Sequence, residues 1–384
     1  MARRYHRIVA TDAETLVIGA GIIGCAVARE LASRGVGTLV LDARDVGQGA
    51  TQASAGMLAP YTEAHDGGPL LDLLIRSLDL YDGWIRDVRR ESGIDIEYRR
   101  SGSLEVAFDA AGATHLQGAA HASGRCAWLA AEDLRRLEPG VTARAAGALS
   151  VPDHGYVSAP GLTDALARAV VRGGGRIQPA ARAIAVDIRS DHVRVTLEDA
   201  QVLRADRLVV AAGSWTGQLR GLEGDAAAVR PVRGQLLRLR PQAPAITRVI
   251  WGPGCYLVPW AEGLVLVGAT MEDAGFEERN TAGAVRMLLE AASTLVPALS
   301  EATFVDARSG LRPATPDGLP IVGPSAQSDR VVYATGHFRN GILLAPLTAR
   351  LVADYLVEGR ADPALDALRP RAAREPRWAR VQGS

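Results

Sequence analysis

Three glycines and one acid are the first residues whose spacing speaks to chemistry. Gly19, Gly21 and Gly24 follow the apolar run Leu16-Val17-Ile18, and Asp42 ends a second apolar run, Thr38 to Leu41. Strand, glycine turn, helix, strand and acid in this order build a dinucleotide-binding unit. Gly19 permits the tight turn, Gly21 lets backbone approach a pyrophosphate, and Gly24 lets the helix pack close on the strand. The helix expected over 22–33 aims its N–H groups and positive dipole end at the pyrophosphate. Asp42 then accepts hydrogen bonds from a ribose, and an acid there argues against a 2′-phosphate. Arg312 is the second candidate. It lies in GLRPATPDGLPIVG, an apolar, proline-rich segment with few competing charges. Pro313 restrains it to an extended backbone that can aim a guanidinium in one direction, and a carboxylate is the group such a fork grips best.

The elements that must position these residues follow from periodicity. After Asp42 the run ARDVGQGATQASAGMLAPYTE is rich in small residues and less polar than a surface loop, so it is read as lining a ligand. A helix over 71–90 carries Leu71, Leu74, Ile75, Leu78, Ile85 and Val88 as its core stripe. Broken strands over 94–108 and short alanine-rich helices to Gly140 form a cap away from the nucleotide. The chain then returns with a helix over 162–171, strands over 184–188 and 193–197, and the strand RLVVAAG over 207–213, which reads as buried on both faces and ends at Gly213 beside the dinucleotide. From Val232 the pattern is antiparallel, with 256–260 and 264–269 as a hairpin. Its period of two puts Tyr256, Val258 and Trp260 on one face, where Tyr256 reads equally as a packed aromatic and as a ligand contact. A helix over 284–295 closes this part. The last helix is read as amphipathic, with Leu344, Leu347, Leu351 and Tyr355 as its stripe and Pro346 in the first turn. Its start at Asn340-Gly341 offers free N–H groups and reads either as an ordinary helix start after a turn or, taken with the first motif, as a dipole end that would stabilise negative charge on a bound ring.

Composition narrows the function class. The chain has 384 residues, 48% of them apolar and 22% charged, with formal net charge +0 and no lysine. Zero net charge gives no global attraction to nucleic acid or acidic membranes. The absence of lysine removes pyridoxal Schiff-base chemistry and a Walker A motif. No apolar run is long enough to span a membrane, and the basic N-terminus MARRYHRIVATDA lacks the apolar core of a secretory signal and reads as a frayed tail. Cys25, Cys126 and Cys255 are scattered without metal-ligand spacing, which fits a reducing cytoplasm and no metal site.

Beyond these readings, the chain resembles the FAD-dependent D-amino-acid oxidase superfamily, and within it the glycine oxidases of bacterial thiamine synthesis. The strings that carry the resemblance are GAGIIG at 19–24, ASAGMLAP at 53–60, CYLVP at 255–259, VGAT at 267–270, GLRPATPDGLPIVG at 310–323 and GHFRNGILLAP at 336–346. The resemblance implies an α/β fold: a Rossmann-type FAD-binding domain from 1–90, 155–225 and 308–370, a largely antiparallel substrate domain from 91–154 and 226–307, and a tail over 371–384. It implies FAD held without a covalent link by Ile22, Ile23, Asp42, Ala43, Ala50, Thr51, Ala55, Gly56, Met57, Ala183, His337, Phe338, Arg339, Asn340, Gly341, Ile342 and Leu343. Substrate would be bound by Arg312, Arg339 and Tyr256, with Met57 beside them. Two departures stand out: Asp42 where relatives often carry glutamate, and Gly254 where some carry histidine.

The implied reaction oxidises a small α-amino acid at Cα with molecular oxygen as acceptor, giving glyoxylate, ammonia and hydrogen peroxide from glycine. It requires a carboxylate anchor more than a side-chain base, since no Asp or Glu stands out in the matching motifs. A homo-oligomer, tetrameric in some members, is implied as well. An NAD-dependent dehydrogenase, a flavin-binding subunit without chemistry of its own, and a D-amino-acid or sarcosine oxidase are the alternatives that the residues leave open.

Overall fold

The run AETLVI at Ala13–Ile18 is buried at every position but Glu14, and it lies near the middle of a sheet. The computed structural model describes residues 13–64, 67–223 and 229–370. The expected tails at the N-terminus and over 371–384 fall outside the described residues. Arg176–Gln178, Thr38–Leu41, Ala13–Ile18, Val202–Val210 and Val331–Thr335 lie side by side and run parallel. Alternation divides their side chains between two cores. Val17, Val40, Val209 and Val332 meet the helices Ile22–Ser33, Pro69–Ser92, Ala159–Arg172 and Gly341–Glu358, while Leu16, Leu39, Leu208 and Val331 pack on the other face with the hairpin Ala183–Ile188 and Val193–Leu197. Burial on both faces is why these strands read as unbroken apolar runs.

A second sheet has the order Thr303–Ala314, Arg230–Arg240, Leu264–Gly268, Cys255–Trp260, Val249–Gly252, Ser103–Ala107, Gly147–Val151 and Ala127–Ala130. Its pairs are antiparallel except where Val249–Gly252 meets Ser103–Ala107. One face packs Leu237, Leu239, Leu257, Val265 and Val267 under the helix Ala282–Leu295. The opposite face, with Leu236, Val258, Leu266, Tyr256 and Trp260, turns toward the ligand cleft. The strand Thr303–Ala314 belongs to this sheet along its length, so the boundary expected at 308 falls inside it. A small third sheet joins Met57–Leu58, Gly155–Val157 and Tyr98–Arg99. Together these arrangements are a mixed α/β fold with one mixed sheet, parallel at its centre, and one largely antiparallel sheet.

Two helices differ from their expected patterns. Pro69–Ser92 buries Leu73, Ser77, Tyr81 and Trp84 as well as Leu74, Leu78, Ile85 and Val88, whereas Leu71 and Ile75 are only half-buried. The stripe turns because this face meets the last helix through polar atoms. That last helix is buried on nearly every side from Ile342 to Ala349, so it is not amphipathic over its first turns. Pro346 also lies beyond the first turn, since the helix begins at Gly341. Proline has no N–H for the carbonyl four residues back. The orphaned carbonyl is that of Ile342, and Tyr81 Oη donates to it at 2.5 Å. Ser77 Oγ donates to the next carbonyl, Leu343, at 2.6 Å.

Removing the Tyr81 hydroxyl leaves a buried carbonyl unpaired, which costs ~1–3 kcal/mol. Tyr81→Phe is expected to lower the urea midpoint accordingly. The loss should shrink in Tyr81→Phe/Pro346→Ala, because alanine restores the N–H that Ile342 lacks, and a double-mutant cycle by denaturant unfolding measures that coupling.

Candidate active site

The glycine turn behaves as its spacing predicts. A Cβ at Gly19 would lie 2.3 Å from the Ala211 carbonyl oxygen, and one at Gly24 would lie 1.8 Å from the Gly19 carbonyl oxygen. Gly21 has only Thr51 Oγ1 nearby, at 3.4 Å, so bare backbone borders the cleft there. Asp42 closes the turn: its Oδ2 accepts the Ala20 N–H at 2.6 Å and its Oδ1 accepts the Arg44 N–H at 2.8 Å. Burial pushes the Asp42 carboxyl up, and these N–H groups together with the Arg44 charge oppose that shift. Asp42 thus ties the second strand to the glycine turn and lines the cleft beside it. The Ile22 N–H donates to Thr51 Oγ1 at 3.1 Å, while those of Ile23 and Gly24 have no intrahelical acceptor. Beside them runs a cleft of about 700 Å³.

The small residues after Asp42 have two uses. Ala50, Thr51, Ala53, Ala55, Gly56 and Met57 line the cleft. A Cβ at Gly310 would sit 2.9 Å from Ala53 Cβ, so Ala53 and Gly310 let the second sheet lean directly on this loop. At the same end, Arg44 pairs with Glu278 and lies over the Trp215 ring, 4.7 Å from its centroid.

The other end of the cleft is built on the second sheet. Tyr256 pairs with Gly268 across the hairpin, and a Cβ at Gly268 would fall 2.2 Å from the Tyr256 ring. Arg312 pairs with Val232, and its guanidinium lies over Gly234, where a Cβ would meet it at 2.2 Å. The guanidinium Nη1 donates to the Thr270 carbonyl at 2.9 Å and to the Arg233 carbonyl at 3.5 Å. No described carboxylate pairs with it. Burial pushes its pKa down, opposed chiefly by the Tyr256 hydroxyl beside it. Burial likewise raises Tyr256, with Arg312 opposing. Arg339 behaves differently, because its Nε donates to Glu63 Oε2 at 2.9 Å and the pair is closed.

The cleft gathers Gly19, Gly21, Ile22, Ile23, Asp42, Ala43, Ala183, Gly213, His337, Phe338, Arg339, Asn340, Gly341 and Ile342 with Arg312 and Tyr256. Leu343 is not among its lining residues; its side chain is in the helix core, because its turn of the helix points at Ser77. Gly24 acts behind the lining as a packing position. Sequence reasoning missed Glu63, Trp251, Gly234 and Gly268. Glu63 stood in the small-residue run, but its partner lies 276 positions away. Trp251 sits opposite Tyr256 with ring centroids 5.1 Å apart, and its indole Nε1 has no hydrogen-bond partner among the described residues. Among the described residues no cluster of metal-ligating side chains occurs.

The FAD dependent oxidoreductase family model matches residues 14–355. The chain belongs to this family. Its cofactor is FAD, and the bare backbone at Gly21, the open N–H groups of the first helix and the acid at Asp42 suit its pyrophosphate and ribose. The chain is 35% identical to the glycine oxidase of Geobacillus kaustophilus over 92% of its own length and 94% of that protein. The crystal structure of glycine oxidase from Geobacillus kaustophilus superposes with a TM-score of 0.87, at 33% identity, covering 92% of this chain and 96% of that one. The bifunctional protein ThiO/ThiG of Synechocystis is 36% identical over 94% of this chain but only 54% of its own length, so the chain spans about half of that relative.

His337 lines the cleft, and burial pushes its pKa down to about 3 while its Nε2 meets Thr348 Oγ1 at 3.0 Å. It is therefore neutral at physiological pH and no acid–base switch there. Since its folded pKa lies below the unfolded value of about 6.5, its contribution is complete above pH ~6.5 and is lost as pH falls toward the folded value. Between those limits the native state of the wild type should lose ~1.4 kcal/mol more per pH unit than that of His337→Asn. Urea unfolding of both proteins across that range measures the difference; parallel profiles would place His337 in water.

Proposed function

We propose that the chain is an FAD-dependent glycine oxidase, and the observation that carries this reading is the half-buried Arg312, with no carboxylate partner among the described residues, set beside Tyr256 at the end of the cleft. The similarity to glycine oxidases along nearly the whole chain supports it. FAD, held by the glycine turn, the first helix and Asp42, would supply a hydride acceptor for the substrate Cα and a route for the electrons to oxygen; with water hydrolysing the imine, glycine and oxygen would give glyoxylate, ammonia and hydrogen peroxide. The protein's task is to hold the reacting carbon still. Arg312 grips the carboxylate with its free N–H groups and Tyr256 donates a second hydrogen bond, which fixes Cα relative to the cleft. The same guanidinium disfavours a second positive charge nearby, so it favours the neutral amine from which hydride leaves. Glu63 is the one carboxylate lining this end and is engaged by Arg339, in keeping with a reaction that depends on position more than on a base. Trp251 against Tyr256 narrows the pocket, which supports glycine over substrates with longer side chains. D-amino-acid or sarcosine oxidation is the closest competing reading, and peroxide release compared across glycine, sarcosine and D-alanine separates the three.

The reading extends to a cytoplasmic enzyme that assembles with copies of itself and supplies the thiazole of thiamine. Its supports are the resemblance, the lack of a disulfide at Cys25, Cys126 and Cys255, and the similarity to about half of a ThiO/ThiG protein. No described helix is long and apolar enough to cross a membrane. The domain assignment is part of the same reading, with 1–90, 155–225 and 308–370 holding FAD, 91–154 and 226–307 forming the substrate domain and 371–384 a tail, although the strand Thr303–Ala314 that carries Arg312 belongs to the substrate-side sheet.

FAD is held without a covalent link in this reading. Cys255 lines the cleft, but burial pushes its thiol up to about 12, so it is no nucleophile. Acid precipitation should leave the yellow colour in the supernatant; colour in the pellet would overturn this. Arg312→Ala should lower kcat/KM for glycine by the ~2–5 kcal/mol of a broken charge pair, roughly thirty- to several-thousand-fold, with flavin content unchanged. Arg312→Lys should recover part of the loss, because a point charge cannot form two parallel hydrogen bonds. Near wild-type turnover in Arg312→Ala would move the anchor elsewhere.

A further inference from the structure

The two arginines at the substrate end are not equivalent. Arg312 meets carbonyl oxygens and the Tyr256 hydroxyl, whereas both Nε and Nη2 of Arg339 donate to Oε2 of Glu63. The Glu63 side chain is 6% exposed and that of Arg339 is 39% exposed. Glu63 closes the short helix Pro60–Glu63, which follows the strand Met57–Leu58, and so the third sheet sets it in the cleft wall. Its charge reaches both functional groups: it acts on the ionisation of Tyr256 and of Arg312 in the sense opposite to Arg339. The substrate end therefore holds two cations and one anion, with only one cation open to a ligand.

We propose that Glu63 determines the charge specificity of the site. By holding Arg339 it leaves Arg312 as the arginine open to an anionic group, so the site takes amines bearing one carboxylate and turns away those bearing two. A second acidic arm would meet the like charge of Glu63 and an arginine whose fork is already engaged. The inference rests on Arg312 being the carboxylate anchor of the proposed function. Glu63→Gln keeps the shape and an acceptor for Arg339 but removes the negative charge, which frees Arg339 to serve as a second anion site.

Calorimetric titration of the FAD-loaded protein with two unreactive ethers tests this. Methoxyacetate carries one carboxylate, and diglycolate carries two on a similar chain. Wild type should prefer methoxyacetate. Glu63→Gln should raise the affinity for diglycolate relative to methoxyacetate by tenfold or more, and adding Arg339→Ala should abolish that gain. Glu63→Asp, which retains the charge, should keep the wild-type preference. An unchanged ratio in Glu63→Gln, or a wild type that prefers diglycolate, overturns the proposal while leaving the anchor intact, provided that Arg312→Ala weakens methoxyacetate. If methoxyacetate binding does not depend on Arg312, both readings fall. Should Glu63→Gln not yield folded, yellow protein, Arg339→Met provides the second arm: with Glu63 left bare it should shift the ratio further toward methoxyacetate, and no shift there overturns the proposal.

Discussion

A guanidinium held by carbonyl oxygens and by no carboxylate is the constraint to which the rest of the site answers. Charges removed from water are costly unless they are paired, and Arg312 is only half satisfied by the Thr270 and Arg233 carbonyls. Burial accordingly pushes its pKa down. A carboxylate placed there would supply the missing partner, which is the basis of the proposed anchor.

Holding such a cation requires stiff surroundings. Behind Arg312, the Gln235 N–H donates to Thr270 Oγ1 at 2.9 Å, and Gln235 Nε2 donates to Glu272 Oε1 at 2.8 Å. Arg233 pairs with the same carboxylate, and the Thr281 N–H donates to Gln235 Oε1 at 2.7 Å at the start of the helix Ala282–Leu295. Each member is buried or half-buried and each is satisfied, the condition under which a polar network adds rigidity. These bonds fix the residue-270 carbonyl, and through it the direction of the guanidinium. Space for the two ligand-facing side chains comes from deletion: Gly234 and Gly268 leave bare backbone under Arg312 and Tyr256.

The two sheets meet at the cleft because their contact surfaces are stripped of side chains. Gly310 leans on Ala50 and Ala53, and Gly56 lies so close to the Val157 carbonyl that a Cβ would fall 1.7 Å from it. The dinucleotide loop is thereby pressed between the parallel sheet, which supplies the glycine turn and Asp42, and the antiparallel sheet, which supplies Arg312 and Tyr256. The last helix reaches the same point from below, with its open N-terminal N–H groups at Gly341 and Ile342 bordering the cleft.

The sequence alone determined whatever depends on near neighbours. The glycine turn, its helix and Asp42 lie within one strand, helix and strand unit, and their spacing states their geometry. The hairpin of Tyr256 and the buried strand before Gly213 were legible for the same reason, since a period of two reports which side chains share a face. The extended, proline-rich setting of Arg312 was legible too, because it is local. Tertiary structure decided what depends on pairing between distant segments. The register that sets Gly234 under Arg312 joins strands from two parts of the chain, and Glu63 meets Arg339 across 276 positions. Pro346 was placed too early in its helix because the group that replaces its missing N–H, the Tyr81 hydroxyl, comes from another helix 261 positions from Ile342. Periodicity records how a segment divides its own faces between water and core. It carries no record of which distant segment will cover them, and the charge balance of this site is a property of that covering.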